Sequence, residues 1–276
     1  MSALPVVTSP EERAALIKAR SDVLALIGAT DTMLGRCITE QASTSEVDTC
    51  LLKNPEGWWL TYSHSSLFVA ADHLSALLAI WAAPAIPHSA GYTVIRGAAE
   101  AAARACWFVD PSLASRERIA RGIVERAYDL GQMRRFVGET EQVRQGRTVF
   151  DTTIARAGFA LDRGTCENQK RPGPGVTSLM HWLLSAPITS GSTGTIGGLT
   201  YALLSGYAHA ETWATLMDVE RVDPRMGVLA LNIPRQIQLL RLAMRVLHTG
   251  VCWTVQLAGL DVDAWKNHAV PLVLGT

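Results

Sequence analysis

Nowhere along the chain do apolar residues alternate with a period of two for any length; they recur at three and four. That spacing puts apolar side chains on one stripe of a helix and cannot build a half-buried sheet. The sequence therefore predicts an all-α protein with about seven to nine helices and no sheet.

The helix starts and stops are punctuated. Ser9-Pro10-Glu11-Glu12 combines a capping serine, a proline for the first turn and a glutamate at the capping-box position. It opens a helix expected over residues 10–28. A short helix around Met33 to Gln41 is one option for the less decided stretch 29–57. Further helices are expected over 58–83, from Ser89 or Gly91 to Val109, over 113–137 and 139–160, near 177–185, over 199–217, over 234–251 and near 261–267. Prolines at 84, 87, 111 and 224 mark breaks between them. The stretch 161–175, with Gly164, Pro172, Gly173, Pro174 and Gly175, is a loop or linker. It leaves no balanced halves, so a single domain over 1–276 is expected.

Composition narrows the function classes. The chain has 276 residues, 48% hydrophobic and 18% charged, enough for one large core without staples. Lys plus Arg and Asp plus Glu are both 25, so no global field favours nucleic acid. Cys37, Cys50, Cys106, Cys166 and Cys252 lack metal-finger or redox spacing and are odd in number, which fits a reducing cytoplasm. The most apolar stretch, 67–86, contains Asp72 and His73 and is broken by Pro84, so it is expected to be a buried helix and not a membrane span. No Glu-x-x-His or His-x-x-x-His pair occurs, and neither a metal nor a cofactor is expected. Gly191, Gly194 and Gly197 precede a helix, but no Walker lysine follows, and a Ser- or Thr-capped loop explains them better.

Two helical stripes carry polar side chains. Arg96 and Glu100 are four apart on an alanine-rich helix and can form an ion pair. Tyr201, Ser205 and His209 recur every four residues, with Trp213 extending the stripe. His209 could act as acid or base, with Ser205 or Tyr201 as donors; a structural contact with a partner helix is the alternative. Arg96, Glu100, Ser205 and His209 are expected to meet across a helix interface, because mutual hydrogen bonding is the cheapest arrangement for polar groups on apolar helices. Arg134, Arg135, Arg144 and Arg147, with Arg163, Lys170 and Arg171, could make a basic patch, or a solvated face neutralised by Glu139 and Glu141.

Three segments together, Ala70 to Leu74, Tyr92 to Ala101 and Tyr201 to His209, resemble a group of actinobacterial helical proteins. More distantly they are similar to bacterial domains allied to the HEPN superfamily, which carry an Arg-small-small-small-Glu helix and a Tyr-x-x-Leu-Ser-x-x-x-His helix. The resemblance covers about residues 65–215 and implies an all-α bundle, with a homodimer possible. Many HEPN proteins are metal-independent endoribonucleases whose motif is an Arg, four to six residues, then a His. Arg241 and His248 have that spacing, with Leu242 where the superfamily usually has a polar residue. Three functions stay open: a homo-oligomeric binding protein, an endoribonuclease acting on RNA in stress or phage defence, and a small-molecule enzyme with a helical pocket.

Overall fold

A computed structural model describes residues 9–40, 57–83, 86–87, 89–160, 173–187, 194–209, 211, 214, 219–223, 226–229 and 232–275. Its described elements are α1 (Pro10–Thr39), α2 (Trp58–Ala82), α3 (Ala90–Phe108), α4 (Ser115–Val137), α5 (Glu141–Arg156), α6 (Val176–Leu183), α7 (Ile196–Ala208), β1 (Val219–Asp223), β2 (Met226–Leu229), α8 (Ile233–Leu257) and α9 (Val262–Leu274). The all-α class holds. The expectation of no sheet is corrected by one antiparallel hairpin, β1 with β2, in which Val219 faces Leu229. The two strands, Val219–Asp223 and Met226–Leu229, do not alternate apolar and polar residues, so no period of two marked them.

The expected capping box is present at α1. Ser9 Oγ accepts from Glu12 N (3.1 Å), and Glu12 Oε2 accepts from Ser9 N (2.9 Å). The helix runs on to Thr39 where two pieces were expected. Thr30, Met33, Leu34 and Cys37 are buried along the extension, and that packing outweighs the modest helical cost of Gly28 and Gly35. Conversely, α7 stops at Ala208 and not at 217. His209 caps it, and the Glu211 N–H folds back onto the Gly206 carbonyl (2.8 Å). In α9, Pro271 sits inside the helix, because Trp265, Ala269 and Val273 bury a stripe that carries the chain past it.

The α2–α3 pair forms the centre. Ala98, Ala99, Ala102, Ala103 and Ala105 are buried, so the middle of α3 presents methyl groups to its neighbours, which approach closely. Helices α2 and α8 pack on α3, α1 lies across α2 and α8, α9 closes on α1 and α8, and α6 and α7 cover the remaining flank of α3. One core runs through these helices, and α4 with α5 holds a small satellite around Ile123, Leu130 and Phe150. Gly197, the second residue of α7, serves packing. A side chain at Gly197 would meet the Met180 carbonyl at 1.8 Å, and Thr195 caps the helix through Gly198 N (3.1 Å).

Among the described helices, α2 alone is long and apolar enough to cross a membrane. Its stripe of Trp59, Leu67, Leu74, Leu77 and Trp81 is packed inside the fold. Cys37, Cys106 and Cys252 are free and buried. Burial pushes the Cys37 thiol up to about 12 and Cys252 to about 11, so both behave as small core residues. Residues 161–172 of the expected loop, with Cys50, Cys166, Gly191 and Trp213, lie outside the described residues.

Candidate functional site

The polar residues on α3 and α7 meet. Glu100 Oε1 accepts from Arg96 Nε at 2.7 Å and from the Tyr201 hydroxyl at 3.0 Å. Arg96 also reaches Tyr201 OH through Nη2 (3.3 Å) and His209 Nε2 through Nη1 (3.0 Å). Arginine is a donor only, so His209 Nε2 is the acceptor and the neutral ring carries its proton on Nδ1. Burial, and then the Glu100 carboxylate, raise the Tyr201 phenol above its ordinary range, which keeps it a neutral donor. Ser205 joins only through its carbonyl, which accepts from His209 N (2.9 Å). Tyr201 takes the place in the cluster that Ser205 was expected to fill.

Glu100 is also a wall of a cleft of about 700 Å³ between α2, α3 and the start of α6. On α2, Tyr62, Ser65, Ser66, Val69 and His73 follow one helical face; on α3, Gly97, Glu100, Ala101 and Arg104 do the same. The segment Gly173 to Val176, with Leu179, closes the third side. Asp72 is exposed, and the adjacent His73 turns into the cleft. It can do so because residue 97 is glycine. A Cβ there would stand 2.7 Å from the His73 ring.

The cleft's inner end is held rigid. Arg104 and Glu125, both buried, form an ion pair, and the Arg104 guanidinium lies 4.3 Å over the Trp107 ring. Tyr62 donates to Asp129 Oδ2 (2.6 Å) and stacks on Phe108 (5.6 Å). Burial, and then Asp129, raise the Tyr62 phenol, so it too stays neutral. The groups nearer the mouth are not committed. Among the described residues, Ser65 and Ser66 hydroxyls, the His73 ring and Glu100 Oε2 make no hydrogen bond. Sequence reasoning missed Tyr62, Ser65, Ser66 and Arg104. Their spacing on α2 and α3 was visible, but nothing in one helix says that its polar face borders a cavity.

The second expected pair is placed apart. Arg241 donates to Asp22 Oδ2 on α1 (2.5 Å) and to the Leu272 carbonyl on α9, tying three helices together. His248 stacks on Trp265 (5.8 Å) and its Nε2 lies 3.5 Å from Cys252 Sγ. Burial, and then Lys266, lower its basicity. In the proposed basic patch, Arg144 pairs with Glu141 and Arg147 with Glu139, each at 2.9 Å; Arg163, Lys170 and Arg171 lie outside the described residues. Among the described residues, no group of three or more His, Cys, Asp or Glu could hold a metal ion.

The fold and site define an all-α protein with a polar-lined cleft between α2, α3 and α6. Compared with known proteins, the chain matches no family model, no curated protein and no solved structure.

Proposed function

We propose that the protein is a binding protein for a small amphiphilic molecule, taken up in the α2–α3–α6 cleft with a hydrogen-bond donor, such as an amine, directed at Glu100. The supporting observation is the set of uncommitted polar groups, Ser65, Ser66, His73 and Glu100 Oε2, on walls otherwise made by Tyr62, Val69, Ala101 and Leu179. A volume of about 700 Å³ falls in the range of small-molecule sites, which combine apolar walls with a few placed polar groups. Arg96 and Tyr201 fix one oxygen of Glu100 and leave the other for the ligand. A screen of small aromatic amines and matched neutral fragments by ligand-observed NMR tests this. Amines should be enriched among the hits, and filling the cleft with Ala101→Trp should remove them. Hits that ignore Ala101→Trp would overturn the assignment.

Metal-independent RNA cleavage has one supporting contact, Arg96 against the exposed His209. It draws less from Arg241, which is occupied by Asp22 and Leu272. Cleavage of single-stranded RNA in EDTA, abolished by His209→Ala with the helical signal intact, would put that activity in front. Homo-oligomerisation is supported by Ile17, Leu24 and Ile38, which follow a seven- and fourteen-residue spacing along α1 and are 61%, 60% and 44% exposed. A monomeric mass in sedimentation would count against it.

A further inference from the structure

A second cavity, of about 560 Å³, lies between α7, α8 and α9, away from the cleft. Leu199 and Leu203 of α7, Leu239 and Leu242 of α8 and Leu274 of α9 give it an apolar wall. Leu199 and Leu274 are 43% and 51% exposed, so the cavity is open to solvent along hydrocarbon. Three arginines of α8, at 235, 241 and 245, border it, and among the described residues no carboxylate does. Their electrostatic states differ. Arg241 is neutralised by Asp22 from outside the cavity (2.5 Å), and Arg235 donates to the Tyr207 hydroxyl (3.0 Å). Arg245 is exposed, and among the described residues its side chain makes no ion pair or hydrogen bond.

An apolar cavity with the exposed Arg245 guanidinium at its edge, and no acid among its described lining residues, complements a molecule with a hydrocarbon body and an anionic head. We propose that this cavity binds a medium-chain monocarboxylate, its chain along the leucines and its carboxylate on the Arg245 guanidinium. The planar fork of arginine suits a carboxylate's two oxygens, and apolar contact supplies the rest. The site is independent of the α2–α3–α6 cleft and stands or falls without it.

Isothermal titration of the full chain with dodecanoate, below its micelle concentration, tests the proposal. Saturable single-site binding is expected. Arg245→Glu should weaken it about tenfold or more, Arg245→Lys, which keeps the charge and loses the fork, should weaken it less than Arg245→Glu, and dodecanol should bind about tenfold more weakly than dodecanoate. Leu203→Trp, which fills the cavity, should abolish binding, while Ala101→Trp in the other cleft should leave it unchanged. Circular dichroism of each variant confirms that the helices are intact. No saturable binding to the wild type, equal affinity in Arg245→Glu, equal affinity for dodecanol, or loss of binding in Ala101→Trp would each overturn the site.

Discussion

Arg96 on α3 and His209 at the end of α7 stand 3.0 Å apart across 113 positions of sequence, with Glu100 and Tyr201 completing the contact. The side chains of Arg96 and Glu100 keep 21% and 32% of their exposure, so solvent screens the pair partly. Glu100→Ala removes the acceptor shared by Arg96 and Tyr201. It should cost about 1–2 kcal/mol and lower the melting temperature by about 2–6 °C. Glu100→Gln keeps an acceptor and should lose less. Differential scanning calorimetry distinguishes the two, and equal losses would show that the charge alone matters.

The Arg104–Glu125 pair should behave differently, because both partners are buried. Glu125→Ala strands a guanidinium in the core and should cost about 3–5 kcal/mol. Replacing both, Arg104→Met with Glu125→Leu, should restore most of that stability. Urea unfolding of the single and double variants measures this, and a double variant no better than the single would contradict it.

Two glycines predict opposite signs. A Cβ on Gly122 would lie 2.4 Å from the backbone nitrogen of Trp59, and backbone cannot swing aside. Gly122→Ala should therefore destabilise by about 2–3 kcal/mol by driving α4 from α2. Gly28 in α1 has nothing within 4 Å of such a Cβ. Gly28→Ala should stabilise by about 0.5–1 kcal/mol through helix propensity alone. Thermal melts of the two variants check the pair of signs.

His64 sets an acid limb. Burial lowers its pKa from 6.5 to about 4, and among the described residues its Nε2 has no hydrogen-bond partner. Below the unfolded value the unfolded chain binds a proton that the folded chain refuses. Stability is therefore full above pH 6.5 and falls as the pH drops towards 4, by about 3 kcal/mol for this group. His64→Leu should flatten that limb by most of this amount, about 2 kcal/mol, in urea unfolding between pH 7 and 4.5. Parallel pH curves for wild type and variant would contradict it.

Much of the fold was legible because helix signals are local. The capping box at Ser9 and the apolar stripes of α2, α3, α4 and α8 each lie within one segment. The failures came where tertiary packing outvoted a local signal: Gly28 did not end α1, and Pro271 did not end α9. The Arg96–Glu100 pair and the Tyr201–His209 stripe were readable from four-residue spacing, and mutual satisfaction predicted their meeting. The cleft was not readable. Tyr62, Ser65, Ser66 and Arg104 form a site only because α2 and α3 lie side by side with Gly97 and Ala101 between them. Nor did a seven-residue spacing show that Arg241 answers to Asp22, 219 positions away.

If the α2–α3–α6 cleft holds a small ligand through Glu100, calorimetric titration of the best amine fragment reads it out residue by residue. Against wild type, Ala101→Trp should weaken binding by about thirtyfold or more and Glu100→Gln by about tenfold, with Ser205→Ala unchanged. Affinities within about twofold across wild type, Ala101→Trp and Glu100→Gln would show that the ligand sits elsewhere.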